Sequence, residues 1–156
     1  MAHGPVLSRL SALELDRAAA LHAESFAPLG ERAWTRQDVA ELLASPGVAG
    51  LLLQVDGCDV GFALCRVAAD EAELLTIAVR PEARRRGLGR QLLAAVTDRV
   101  RAAGARVLFL EVAVDNSAAQ SLYASQGFCV VGTRLAYYRR TNLPPADAAI
   151  MRLVLE

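Results

Sequence analysis

A carboxylate that interrupts an apolar run is the first residue in this chain whose type and setting suggest chemistry. Glu111 stands within Arg106-Val107-Leu108-Phe109-Leu110-Glu111-Val112-Ala113-Val114, whose β-branched and aromatic content predicts a strand over 106–114. If that strand is covered on both faces, an ionised carboxyl without partners costs several kcal/mol. Two readings of Glu111 follow: a base placed to accept a proton, or one half of an ion pair with a neighbouring arginine. The second candidate is Tyr123, in Asp115-Asn116-Ser117-Ala118-Ala119-Gln120-Ser121-Leu122-Tyr123-Ala124-Ser125-Gln126-Gly127-Phe128. Asp115 or Asn116 can cap a helix over 116–126, and Asn116 and Tyr123, two helical turns apart, can face one cleft. A phenol titrating near pH 10 is protonated at neutrality and can hand a proton to a leaving group. A core tyrosine with its hydroxyl satisfied is the other reading.

The third feature is Val79-Arg80-Pro81-Glu82-Ala83-Arg84-Arg85-Arg86-Gly87-Leu88-Gly89-Arg90. The strand-like run Leu74–Val79 must stop at Pro81, which has no N–H for a ladder. Leu88, Leu92, Leu93, Val96 and Val100 then recur at helical spacing, so a helix begins near Gly87 with its first-turn N–H groups unpartnered. Gly87 and Gly89 leave room for a close ligand, and the helix dipole with the guanidiniums of Arg84, Arg85, Arg86 and Arg90 favours phosphate. A phosphate loop of the NTPase kind needs Gly-Lys-Ser/Thr, and the chain contains no lysine. A dinucleotide fingerprint needs a third glycine where Gln91-Leu92 stand. What remains, Val79-x-Pro81-x-x-Arg84-x-x-Gly87-x-Gly89, resembles the acetyl-CoA loop of the GNAT N-acetyltransferases, whose backbone amides cradle the pyrophosphate of coenzyme A.

The resemblance extends further along the chain. Leu110-Glu111-Val112, Asp115-Asn116-x-x-Ala119-x-x-Leu122-Tyr123-x-x-x-Gly127-Phe128, Tyr137-Tyr138 and Asp147-Ala148-x-x-Met151 are similar to the bacterial RimI-type ribosomal-protein alanine N-acetyltransferases over about residues 70 to 155. It implies an α+β (mixed α/β) GNAT fold, with a central, mostly antiparallel twisted sheet splayed at the acetyl-CoA site and flanked by helices. It implies Glu111 as proton acceptor and Tyr123 as proton donor. Ile77, Ala78 and Val79 would pair their backbone with pantetheine, Arg84, Arg85, Arg86, Gly87, Leu88, Gly89 and Arg90 would hold pyrophosphate, and Asn116 would touch the cosubstrate. Tyr137 and Tyr138, on a loop between the last strands, would shape the groove for the acceptor. The acceptor implied is a protein N-terminus, an N-terminal alanine of a small-subunit ribosomal protein. Two stretches depart from the family. Phe26-Ala27-Pro28-Leu29-Gly30-Glu31-Arg32-Ala33-Trp34 is longer than the family's first interhelical loop, and Arg139 to Pro145 is poor in acids that would attract a basic peptide. Trp34 serves as a wall of the acceptor site or as a core anchor. Acetylation of a small-molecule amine, and acetyl-CoA binding without turnover, stay open beside the peptide reading.

The elements that must position these residues are legible in outline. Val6 to Leu10 reads as a strand, and Ser11 with Glu14 as a capping box for a helix to about Ser25. Thr35 with Asp38 opens a second helix that stops at Ser45-Pro46-Gly47. Asp56-Gly57 between apolar runs predicts a hairpin, and Ala69 to Glu73 a short turn into the strand that ends at Val79. Then come a helix over 88–102, a strand over 106–114, a helix over 116–126 and a strand over 128–135.

Composition bounds the rest. A chain of 156 residues with 54% hydrophobic and 22% charged residues can bury a sizeable core, and it is expected to be a single domain over 1–156. Seventeen acids balance seventeen arginines, which leaves no global basic field for nucleic acid. No apolar run approaches a membrane span, and the start of the chain does not resemble a secretion signal, so a cytoplasmic monomer or weak dimer is expected. Cys58, Cys65 and Cys129 show no ligand spacing and are expected as buried small hydrophobes, with no disulfide framework and no metal. His3 is placed in a loose terminus and His22 on an amphipathic helix, neither of them as a base.

Overall fold

The computed structural model describes residues 3–156. Seven strands form one sheet in the order β1-β2-β3-β4-β5-β7-β6. In chain order these are β1 (Val6–Arg9), α1 (Leu15–Phe26), α2 (Arg36–Ala44), β2 (Val48–Val55), β3 (Cys58–Ala68), β4 (Glu71–Val79), α3 (Leu88–Ala102), β5 (Val107–Ala113), α4 (Ser117–Ser125), β6 (Cys129–Arg140) and β7 (Leu143–Val154). All neighbouring pairs are antiparallel except β4 and β5, which run parallel across the crossover made by α3.

The period-2 alternation of strands divides the core in two. Leu53, Ala63 and Cys65 point to the face covered by Leu88, Leu92, Leu93, Val96 and Val100 of α3 and by Tyr123 of α4. Leu52, Phe62 and Leu64 point to the other face, under Leu15, Ala18 and Leu21 of α1 and Val39 of α2. Both capping boxes form: Ser11 with Glu14, and Thr35, whose hydroxyl accepts the Asp38 N–H at 3.1 Å while Asp38 accepts the Thr35 N–H at 2.8 Å. The first turn after Ser11 is a 3-10 turn over Ala12–Glu14, and α1 follows it.

Three expectations are corrected, and β7 holds two prolines. The strand read as 128–135 continues to Arg140, so Tyr137 and Tyr138 lie in β6 and not on a loop. Pro144 and Pro145 belong to β7 because β5 pairs with it only from Ala148 onward, so no ladder on that side calls for the missing N–H groups. Of the three cysteines only Cys65 is buried, and Cys58 and Cys129 are exposed free thiols. The backbone of His3 is tied down, its N–H donating to Asp56 Oδ1 at 2.8 Å.

Candidate active site

The sheet opens between β4 and β5. Their register holds only over Glu71↔Val107, Ala72↔Leu108 and Glu73↔Phe109, while β4 continues to Val79 and β5 to Ala113 without pairing to each other. The Arg80 N–H donates to Val60 O at 2.8 Å, and Ala78 lies opposite Phe62. By strand alternation Ala78 therefore turns its N–H and C=O to β3, and Ile77 and Val79 turn theirs to the gap. An exposed strand edge of this kind accepts an extended chain of amides, and pantetheine is such a chain. Of the three residues expected to pair there, Ile77 is free to do so, Val79 offers its N–H while its carbonyl accepts from Arg84 and Ser25, and Ala78 is already engaged.

At the end of β4, a 3-10 turn over Pro81–Ala83 leads into a loop with left-handed Arg85 at φ 66° and Gly87 at φ 75°. Left-handed residues set one apart just ahead of a helix N-terminus suit an anion nest, in which successive N–H groups turn toward one ligand. A Cβ added at Gly87 would meet nothing within 4 Å. A Cβ at Gly89 would come within 3.3 Å of Leu122 Cδ2, so that glycine serves the packing of α3 against α4 as well as any ligand. The arginines divide. Arg84 Nε donates to Val79 O at 3.0 Å and ties the loop back to its strand. Arg85, Arg86 and Arg90 are exposed and form no ion pair among the described residues. Leu88 is 4% exposed and packs into the core, so only its backbone faces the nest.

On the other side of the gap, β5 presents Glu111, whose side chain is 18% exposed and pairs with Arg134 of β6 at 3.2 Å. The ion-pair reading of Glu111 is thus realised, at a position that still reaches solvent. Asn116 caps α4, its Oδ1 accepting the Ala119 N–H at 3.2 Å. Tyr123 is 6% exposed and tilts against Phe128 at 5.9 Å, and burial holds its phenol well above the usual value. It therefore keeps its proton at neutral pH. Tyr138 joins the two: burial, and then the carboxylates of Glu31 and Glu111 with the phenols of Tyr137 and Tyr123, disfavour its phenolate. Tyr137 stands edge-on to Tyr138 at 5.0 Å, beneath the Arg134 guanidinium at 5.2 Å. Glu111, Tyr137 and Tyr138 thus stand together through Arg134, and Tyr123 reaches them only as the weakest of the charges that bear on Tyr138.

Sequence reasoning passed over an arginine that closes the far side. Arg140, 9% exposed at its side chain, grips Asp115 with both terminal nitrogens at 2.5 and 2.8 Å and lies 3.9 Å from Glu31. The Thr141 N–H donates to Gly30 O at 2.8 Å, so the long loop after α1 is fastened to the β6–β7 hairpin. Burial raises the Glu31 carboxyl above its usual value despite Arg140. A cavity of about 360 Å³ lies there, lined by Pro28, Leu29, Asn116, Ser117, Arg140 and Leu143 among others. The pairing joins residues far apart in sequence, and no local pattern announced it. Trp34 is elsewhere: its ring stacks on His22 at 4.4 Å, its backbone N–H donates to His22 Nδ1 at 3.1 Å, and it borders a second hollow with Arg32, Asp38, Glu41, Leu42 and Ser45. Trp34 is partly buried against the core under α1 and α2 while one side of it lines that hollow.

Residues 15–128 match the family model described as Acetyltransferase (GNAT) family. The chain belongs to the GNAT acetyltransferase family. The chain is 37% identical over 150 residues to "N-alpha-acetyltransferase RimI" of Mycobacterium tuberculosis, covering 94% of this chain and 90% of that one. It is 44% identical over 103 residues to "[Ribosomal protein bS18]-alanine N-acetyltransferase" of Salmonella typhimurium, covering 66% of this chain and 69% of that one. The crystal structure of the ribosomal-protein-S18-alanine N-acetyltransferase from Escherichia coli superposes with a TM-score of 0.88 at 33% identity, over 98% of this chain and 95% of that one. As a GNAT acetyltransferase the protein uses acetyl-CoA as acetyl donor, and the split strand edge and the nest before α3 suit pantetheine and pyrophosphate. No helix among the described residues is long and apolar enough to cross a membrane.

Proposed function

We propose that this GNAT enzyme acetylates the N-terminal α-amine of a protein, an N-terminal alanine of a small-subunit ribosomal protein, in the cytoplasm. What supports the chemistry is a solvent-reaching carboxylate, Glu111, held by Arg134 beside the tyrosine pair on β6, together with a buried, protonated phenol, Tyr123, on α4. The relatives named for alanine N-acetylation of bS18 support the acceptor class.

In this reading Ile77 and Val79 hold the pantetheine amides, and the nest with Arg85, Arg86 and Arg90 holds the pyrophosphate. Asn116, whose amide nitrogen is left free by its cap, lines the cosubstrate's path. Glu111 takes a proton from the acceptor ammonium, directly or through water. An α-amine titrates near pH 8, so only part of the population needs that help. The amine nitrogen then attacks the thioester carbonyl within one ternary complex, and alignment supplies much of the rate. Tyr123 donates its proton to the departing thiolate, so no covalent enzyme intermediate is required. Tyr137 and Tyr138 line the acceptor groove.

The test is mass spectrometry of short peptides beginning with Ala, Ser, Gly or Met after incubation with enzyme and acetyl-CoA. Acetyl on the α-amine of the Ala-start peptide is the expected result. Acetyl only on internal lysines, or only on a small amine, would overturn the acceptor assignment, and no product from any amine would favour a binding module.

A further inference from the structure

Asp147 belongs to the Asp147-Ala148-x-x-Met151 pattern, and the mechanism above gives it no work. Its place in the sheet does. Arg134 lies opposite Ala148 and Tyr138 opposite Ala146, so Leu135, Ala136 and Tyr137 of β6 face the single residue Asp147 of β7. Two extra residues bulge from the strand at that point. A bulge re-aims the side chains that follow it, and it leaves backbone groups without ladder partners. Here Ala136 takes a left-handed φ of 50°, a conformation that disfavours any residue with a Cβ. Its N–H donates to the Asp147 carboxylate at 2.7 Å. The Asp147 carbonyl accepts the Val114 N–H at 2.9 Å, immediately after β5, the strand that carries Glu111.

One residue therefore fastens the bulge with its side chain and the end of the base-bearing strand with its main chain. On the β6 side of that fastening, Arg134 reaches Glu111 and Tyr137 stands edge-on to Tyr138. Leu135 is 81% exposed, so burial does not hold the tip of the bulge, and the bond from the Ala136 N–H to Asp147 ties that tip to β7. We propose that Asp147 is a positioning residue for acceptor recognition: its carboxylate fixes the β6 bulge and thereby the placement of Tyr137 and Tyr138 relative to Glu111. The proposal rests on the reading of the tyrosine pair as the wall of the acceptor groove.

The experiment compares Asp147→Ala and Asp147→Asn in full-length enzyme, with steady-state kinetics on the Ala-start peptide and melting temperature measured alongside. Asp147→Ala removes the acceptor of the Ala136 N–H and should raise the peptide KM about tenfold or more, with the KM for acetyl-CoA nearly unchanged. Asp147→Asn keeps Oδ1 as an acceptor and should recover most of that loss. An unchanged peptide KM in Asp147→Ala, or equal rises in both KM values, would overturn the proposal, as would an Asn variant no better than the Ala variant. Hydrogen exchange on the wild-type protein adds a reading that needs no variant to fold. The Ala136 amide should be protected although its neighbour Leu135 is exposed, and free exchange at Ala136 would count against the bond to Asp147. A wild-type enzyme inactive on every α-amine would instead remove the acceptor assignment and leave the fastening itself to be judged by the exchange at Ala136.

Discussion

Tyr123 and phenylalanine differ by one oxygen, and in this fold that oxygen is the part of the side chain that does not need to be there for packing. The ring fills the α3–α4 core beside Phe128, so Tyr123→Phe should leave melting temperature and acetyl-CoA affinity nearly unchanged. Loss of the proton for the departing thiolate should lower kcat about 10²-fold or more. Glu111→Gln keeps the shape and loses the base. Its residual rate should recover as pH rises past the pKa of the acceptor amine, because solvent then supplies the free amine, whereas the Tyr123→Phe defect should show no such recovery. Stopped-time assays from pH 6.5 to 9.5 would separate the two profiles. Near-wild-type kcat in both variants would make them structural residues and leave positioning alone to account for catalysis.

At the scale of elements, the joint between α1 and α2 depends on the protonation of one imidazole. His22 is 4% exposed, stacks on Trp34 and tilts against Phe26, and accepts the backbone N–H of Trp34 at Nδ1. Desolvation, with Arg32 adding to it, lowers its pKa from 6.5 to about 4. The folded state thus binds a proton less readily than the unfolded chain. Its stability contribution is fully present above pH 6.5 and is lost as pH falls through that value toward 4. By linkage the loss is about 2 kcal/mol at pH 5. Urea titrations at pH 7 and pH 5 should show His22→Gln less stable than wild type at neutrality, with the gap narrowing at pH 5. A constant gap would mean that His22 takes up its proton equally in both states. These two helices also mark what could be read in advance. Capping boxes are local, so Ser11 with Glu14 and Thr35 with Asp38 could be placed from spacing alone. The far half of β6, from Ala136 to Arg140, could not. Its bulge is held by a carboxylate contributed from β7, and the two prolines of β7 are tolerated only because β5 leaves that stretch uncovered. Arg134 on Glu111 and Arg140 on Asp115 are likewise products of tertiary structure, invisible to periodicity.

For the whole molecule, the division of the sheet between β4 and β5 decides where a ligand can act on stability. The sheet is continuous at residues 71–73 of β4, and beyond them its two halves are joined by α3, by loops and by side chains. An extended cosubstrate lying in that gap would supply hydrogen bonds that the protein itself does not make, and anything that binds the folded state alone stabilises it. The alternation of β4 gives this a residue-by-residue signature. Without ligand, the Ala78 amide is paired to β3 and should exchange slowly, while the amides of Ile77 and Val79 face the gap and should exchange faster. Saturating acetyl-CoA should slow Ile77 and Val79 and leave Ala78 almost as it was, and the amides of the nest around Gly87 should slow with them. Coenzyme A should act similarly, and acetate should not, because the amides and phosphates carry the recognition. Uniform slowing over β4 would indicate global stabilisation with no occupancy of the gap, and protection confined to the nest would place the pantetheine arm somewhere other than the edge of β4.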